Sequence, residues 1–243
     1  MRRSSRMVAE ILFDLADLVK VGVSTATLAE FADREIRRRG AASVFKGYRP
    51  SPEDTPFPAV ICTSVNEQVV HGIPSDKVIL KQGDIVGIDL GLTFDGFVGD
   101  AAVTVPVGRT SREVRKLLNV TQQSLTEAIL RCRAPYRLHD IGHAVQDYAE
   151  SHGYNVVRRY FGHGIGREMH EEPAVPNYGQ PGTGPRLEAG MVLAIEPMIN
   201  EGVSDTAVLD DGWTVVTADR KLSAHFEHTV AITDKGPDIL TKL

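Results

Sequence analysis

The chain has 243 residues, 42% hydrophobic and 24% charged, an ordinary globular composition with enough apolar mass for a sizeable core. Its formal net charge of -5 gives no electrostatic footprint for nucleic acid, and the short Arg2-Arg3 and Arg37–Arg39 clusters, with no aromatics interleaved, read as solvated helix ends. Cys62 and Cys132 stand in no metal-binding spacing, so neither a disulfide framework nor a zinc ribbon is indicated, and a reducing compartment fits.

The N-terminal stretch places basic residues before an apolar run, as a signal peptide does. Glu10, Asp14 and Asp17 interrupt that run at helical spacing, which a signal peptide would not tolerate. No segment approaches the length of a membrane span, and a cytoplasmic protein is expected. Met7, Ile11, Leu15 and Leu18 share one face of a helix expected from Arg6 to about Lys20 and ended by Gly22. Ser24 or Thr25 caps a second helix through about Arg38, with Leu28, Phe31 and Ile36 apolar and Gly40 as its stop. Arg49–Pro58 is too proline-rich for helix or central strand and reads as a loop. A short strand follows at AVICTSV, closed by Gly72 and Pro74. Asp84–Leu92 and Gly96–Pro106 read as strands joined by a hairpin at Asp95-Gly96.

Ser111 caps a long helix to about Arg131, and Leu138, Ile141, Val145 and Tyr148 mark another that ends near Gly153. Further strands are expected at Asn155–Tyr160, Met191–Asn200, Trp213–Thr217 and His225–Thr233. Two helices then strands, repeated once, is a duplicated layout. It predicts an α+β protein with a curved, mainly antiparallel sheet and helices on its outer face. No linker divides the chain, so residues 1–243 read as one domain.

Asp89 and Asp100 lie in otherwise apolar strands, where an unpaired carboxylate carries a heavy desolvation penalty. If those strands pair through the Asp95-Gly96 turn, the two aspartates approach one another, which is tolerable with a cation or a shared proton between them. The pair alone reads equally as exposed positions of alternating strands, as Asp95 does. His163 lies between Gly162 and Gly164, which let the backbone pass close to a ligand or bend sharply, and His170 follows on the next turn. His139, His143, His152 and His225 read as ordinary core or surface histidines. No HExxH arrangement is present, which argues against a helix-borne single-zinc site. Glu196 and Glu227 are acidic residues in strands of high β propensity. Pro197 after Glu196 implies an edge or a bulge. One buried strand glutamate could be a salt-bridge partner, but four such carboxylates with His163 form an oxygen-rich set suited to two divalent cations sharing bridging carboxylates. Hydrolysis at a two-metal site is the leading expectation.

The motifs VNEQVVHGIP, DIVGIDLG, FVGDAAVT, GHGIG, HEEP, AIEPM and FEHTVAIT, in this order from about Arg6 to Leu240, resemble the bacterial type I methionine aminopeptidases. The resemblance implies the pita-bread fold and removal of initiator methionine from nascent polypeptides whose second residue is small. It implies that Asp89 chelates one metal, that Asp100 and Glu227 bridge both, and that His163 and Glu196 complete the other shell. Glu196 also matches the position that helps deprotonate the bridging water, and His71 and His170 match the histidines that contact the scissile peptide. Such carboxylate-rich sites suit Co, Mn, Fe(II) or Zn. Cys62, Trp213, Met169, Phe45, Tyr48 and Phe57 match the methionine pocket. Ordinary core packing is the alternative for each, weighed equally for Phe45, Tyr48 and Phe57, whereas the sequence around Trp213 and Cys62 follows the family's pattern without gaps. The likeness further implies a monomer that touches the ribosome transiently.

Two departures stand out. The family's usual lead-in segment is missing, so a shortened first helix is expected, and Arg49–Pro58 replaces a short Gly-Tyr-His-Gly-type turn with a longer acidic, proline-rich loop. The zinc-finger extension expected of eukaryotic relatives is not read in this sequence. That loop puts the places of Tyr48 and Phe57 in question. Prolidase-like enzymes share the ligand pattern but carry a large additional N-terminal domain, for which this sequence leaves no room.

Overall fold

The computed structural model describes residues 1–243. Helix α1 (Arg2–Leu18) starts four residues before the expected Arg6, because its first turn is buried by small side chains rather than apolar ones. Ser4 and Ser5 lie directly over Gly99, where an added Cβ would fall 2.6 Å from the Ser5 nitrogen. Helix α2 (Thr25–Arg38) begins as expected, with the Ser24 hydroxyl accepting the Thr27 N–H at 3.2 Å. The strand β1 (Ala42–Ser43), too short for any sequence signal, follows.

Strand β2 (Cys62–Val65) covers the second half of the expected AVICTSV strand and turns back through β3 (Gln68–Val70). The hairpin of β4 (Ile85–Phe94) and β5 (Phe97–Pro106) forms as read, pairing ten residues of each strand. Asp95 and Gly96 both take left-handed φ, 52° and 74°, as a two-residue turn matched to strand twist requires. Helix α3 (Arg112–Leu130) is capped by Ser111, and α4 (Leu138–Ser151) completes the second helix pair.

The second half is more broken than its composition implies. Only β6 (Asn155–Val156) forms within the expected Asn155–Tyr160 strand. Strands β7 (Gly162–Gly164) and β8 (Glu171–Val175) pair with each other where glycines and charges hide any β signature. The expected Met191–Asn200 strand divides into β9 (Val192–Ile195) and β10 (Met198–Asn200). After β11 (Thr206–Val208), the Trp213–Thr217 strand shrinks to β12 (Val215–Thr217), because the Asp211 carboxylate holds the Trp213 and Thr214 N–H groups in a turn. The last expected strand splits at Phe226 into β13 (Ser223–His225) and β14 (Glu227–Thr233), and β15 (Gly236–Ile239) follows.

A nine-stranded sheet runs β1-β4-β5-β14-β9-β7-β8, with β2 also on β4 and β15 on β14, and every pairing is antiparallel. Two three-stranded sheets, β13-β10-β6 and β11-β12-β3, flank it. The splits at Glu196-Pro197 and Phe226 are where two neighbouring strands leave the large sheet together, since β9 pairs with β14 and β10 with β13. Of the edge or bulge expected at Pro197, the edge does not occur, since β9 is an interior strand between β14 and β7; Pro197 marks a change of sheet.

Alternation fixes the faces. Val86, Ile88, Leu90 and Leu92 of β4 pack with Val8, Ile11 and Leu15 of α1 and Leu28 of α2 in one core. Leu193, Val230 and Ile232 pack with Leu117 and Leu125 of α3 and Ile141 and Val145 of α4 in the other. Each helix pair thus covers one half of the sheet, and the intervening residues, Asp89 and Gly91 of β4 among them, face away from the helices.

Candidate metal centre

The register brings four distant sequence positions into line. Cys62 pairs with Asp89, Asp89 with Ala102, and Ala102 with Glu227 across β2, β4, β5 and β14, so their side chains share a face. Asp100 is two residues from Ala102 and joins that face. His163 enters from β7 opposite Ala194 of β9, and Glu196 stands one residue past Ile195, which pairs with His228. Ligand atoms of Asp100, His163 and Glu227 all lie within 4.8 Å of one another, and all three residues are buried. Glu196 reaches in from the side: its Oε1 is 3.8 Å from His163 Nε2, and its Oε2 is 3.4 Å from His225 Nε2.

Oxygens Asp89 Oδ1, Asp100 Oδ1 and Glu227 Oε1 are buried with no hydrogen-bond partner in the protein. Burial first, and the neighbouring carboxylates second, push the Asp89, Asp100 and Glu227 carboxyls well above the usual carboxylate range. Unpaired oxygens converging with an imidazole are the donor set that a divalent cation satisfies, so these residues fit the metal their sequence pattern implies.

Of the two roles expected for the glycines beside His163, close approach and not a sharp bend is found, and the approach is to neighbouring strands. Neither takes left-handed φ. Both are required by close approach: a Cβ on Gly162 would lie 2.2 Å from the Ala194 carbonyl oxygen, and one on Gly164 2.2 Å from that of Glu172. The unusual backbone belongs to His71, at φ 60°. Its ring packs edge-on against Tyr160 and Trp213, with centroids 5.7 and 6.1 Å away, and burial lowers its pKa to about 4, leaving the imidazole neutral. His170 lies 4.5 Å from His163, ring to ring, and its Nδ1 is 2.9 Å from the Tyr48 hydroxyl.

A cavity of about 480 Å³ is lined by Asp89, Asp100, His163, Glu196 and Glu227, by His71, Tyr160 and His170, and by Phe45, Tyr48, Phe57, Cys62, Met169 and Trp213. Phe45, Phe57 and Cys62 form a buried apolar cluster against which Met169 and Trp213 pack. The Arg49–Pro58 loop leaves this wall intact because its base is closed: the Phe57 N–H donates to the Tyr48 C=O at 2.9 Å, and the Gly47 N–H to the Phe57 C=O at 2.8 Å. Trp213 Nε1 donates to the Thr55 carbonyl at 3.0 Å, which ties the loop to the cavity. Two contributors escaped the sequence reading. Tyr160 lies against His71, and its aromatic ring beside GHGIG was the available signal. His225, read as an ordinary core histidine, faces Glu196, and its place two residues before Glu227 was the clue.

An antiparallel sheet with two helix pairs on one face and acids with histidine on the other defines a pita-bread metallohydrolase. The model of metallopeptidase family M24 matches residues 1–234, and the chain belongs to that family. It is 49% identical to "Methionine aminopeptidase 1" of Bacillus subtilis over 100% of this chain and 95% of that protein, and 47% identical to "Methionine aminopeptidase" of Aquifex aeolicus over the same shares. The crystal structure of methionine aminopeptidase from Thermotoga maritima superposes with a TM-score of 0.96 at 42% identity, over 100% of this chain and 95% of that one. The prolidase from Pyrococcus furiosus shares the fold alone, with a TM-score of 0.77 at 19% identity, and this chain covers 62% of it.

Proposed function

We propose that this chain is a metal-dependent aminopeptidase that removes the initiator methionine from nascent proteins with a small second residue. The observation that carries the reading is the buried trio Asp100, His163 and Glu227, with its unpaired oxygens, in a cavity also lined by an apolar, sulfur-bearing cluster. Asp89, Asp100, His163, Glu196 and Glu227 would hold two divalent ions, with Asp100 and Glu227 the residues that would serve both. Carboxylate-rich and nitrogen-poor, the set suits Co, Mn, Fe(II) or Zn. Such ions, when bound, supply the Lewis acidity that activates water for attack and polarises the scissile carbonyl.

Glu196 takes the proton from the attacking water, with the buried His225 Nε2 3.4 Å from its second oxygen. His71, kept neutral by burial, donates an N–H to the substrate carbonyl oxygen as charge develops there. His170 takes the companion position, its Nδ1 engaged by Tyr48 so that Nε2 faces the cleft. The methionine side chain occupies the wall of Phe45, Phe57, Cys62, Met169 and Trp213, whose polarizable surfaces suit a thioether. Residues 1–243 act as one catalytic domain, a cytoplasmic monomer that meets its substrates as they leave the ribosome. No helix is long and apolar enough to cross a membrane.

The test is release of the first residue from Met-Ala-Ser and Pro-Ala-Ser, in EDTA and after adding Co(II), Mn(II) or Fe(II). Metal-dependent cleavage of the methionyl peptide alone is expected. Cleavage of the prolyl peptide, or of neither with any metal, would overturn the assignment.

A further inference from the structure

Strand β14 changes neighbours along one edge. Glu227 and His228 pair with Ala102 and Ala101 of β5, whereas from Val230 onward the partner is β15. Thr229 stands at the fork, its backbone already committed to the C-terminal segment: its N–H donates to Thr241 Oγ1 at 3.1 Å, and its C=O accepts the Leu240 N–H at 2.9 Å. Asp100, facing it on β5, would lose its rung of the ladder. The Thr229 hydroxyl supplies that rung, accepting the Asp100 N–H at 3.2 Å and donating to the Asp100 C=O at 2.7 Å.

The same device stands at the other end of the contact. Thr104 of β5 accepts the His225 N–H at 2.9 Å and donates to the His225 C=O at 2.7 Å. All four positions keep one antiparallel register, so the two backbone pairs that carry Glu227 are bracketed by two hydroxyl bridges. Both threonines are buried, at 4% and 0% exposure, and each hydroxyl gives one hydrogen bond and receives one from the backbone. No apolar side chain of the same shape can do this.

We infer that Thr104 and Thr229 are positioning residues of the metal centre, setting the spacing of Asp100 and Glu227 by bridging β5 and β14 through a hydroxyl at each end of their contact. The inference rests on the metal-site reading above. Valine at position 229 leaves the Asp100 N–H and C=O buried and unpaired, and the strand that aims its carboxylate must move to relieve them. Groups that orient metal ligands in this way are worth roughly 10- to 100-fold in affinity.

The experiment is calorimetric titration of Mn(II) into metal-free protein, with the d–d spectrum of Co(II) as a readout of ligand geometry, for the parent, Thr229→Val, Thr229→Ser, Thr104→Val and Thr104→Ser. Circular dichroism and urea unfolding in EDTA confirm that each variant is folded. The valine variants are expected to lose at least 10-fold in Mn(II) affinity with an altered Co(II) spectrum, and the serine variants to stay within about 3-fold of the parent. Folded valine variants with parental affinity and spectrum would overturn the inference. So would failure of both valine variants to fold, which would give the hydroxyls a purely structural role. A parent that binds no Mn(II) or Co(II) would instead defeat the metal-site reading itself.

Discussion

Gly162→Ala tests whether the spacing of β7 and β9 sets the position of His163. The added Cβ would lie 2.2 Å from the Ala194 carbonyl oxygen and 3.3 Å from the Val175 Cβ, with β9 on one side and β8 on the other. Ordinary contact begins near 3.4 Å, so β7 must separate from β9 by roughly 1.2 Å. Cβ and carbonyl are both fixed to the backbone, and no rotamer relieves the clash. Overpacking of this kind costs about 1–3 kcal/mol, which for a chain of this size lowers Tm by roughly 2–12 °C. His163 is the next residue and pairs with Ala194, so it shifts with the strand relative to Asp100 and Glu227. A displacement near 1 Å in a catalytic constellation costs on the order of 100-fold in rate. Thermal unfolding in EDTA reads the packing cost alone, Mn(II) titration reads the ligand geometry, and turnover of Met-Ala-Ser reads both together. Parental Tm in EDTA would refute the steric argument. A lowered Tm with unchanged Mn(II) affinity and turnover would show that β7 spacing does not govern His163.

The remaining expectations concern single side chains. His71→Ala should lower turnover by roughly 100- to 1,000-fold, the usual cost of removing one donor to a developing oxyanion, with metal content unchanged by elemental analysis; loss of metal would contradict its place outside the ligand set. Asp100→Asn replaces a buried unpaired carboxylate oxygen and should reduce binding of both ions, so parental stoichiometry and rate would remove Asp100 from its bridging role. Burial first, then Lys242, lowers the His228 pKa to about 4 from the ordinary imidazole value of about 6.5, so the unfolded chain binds more protons between those values. Its contribution to stability is present in full above about pH 6.5 and is lost as pH falls toward 4, by at most about 3 kcal/mol, and His228→Gln should flatten urea-unfolding stability across that window. A variant with the parental pH slope would exclude His228 as its source.

Local signals carried much of this protein. The Ser24 and Ser111 caps, the Asp95-Gly96 turn and the alternation of β4 each act within a few residues, so propensity and periodicity suffice to place them. The candidate ligand set stood out for a related reason: a carboxylate inside an apolar strand is costly enough that its presence in the sequence already demands a partner. The helix start at Arg2 escaped because Ser4 and Ser5 are buried by the nearness of Gly99, which no local pattern records. The short strands β7 and β8 escaped because glycine and charge mask strand character, and their existence depends on each other and on β9.

What the sequence determined by itself was the identity and order of the groups that must be neutralised, together with the duplicated alternation of helix pairs and strands. What only the tertiary structure decided was how those groups meet. The register that lines up Cys62, Asp89, Ala102 and Glu227, the change of sheet at Pro197 and Phe226, the closed base beneath the Arg49–Pro58 loop and the hydroxyl bridges of Thr104 and Thr229 all join residues far apart in the chain. Such features follow from strand pairing and close packing between distant segments, where one residue of slip turns every side chain to the opposite face.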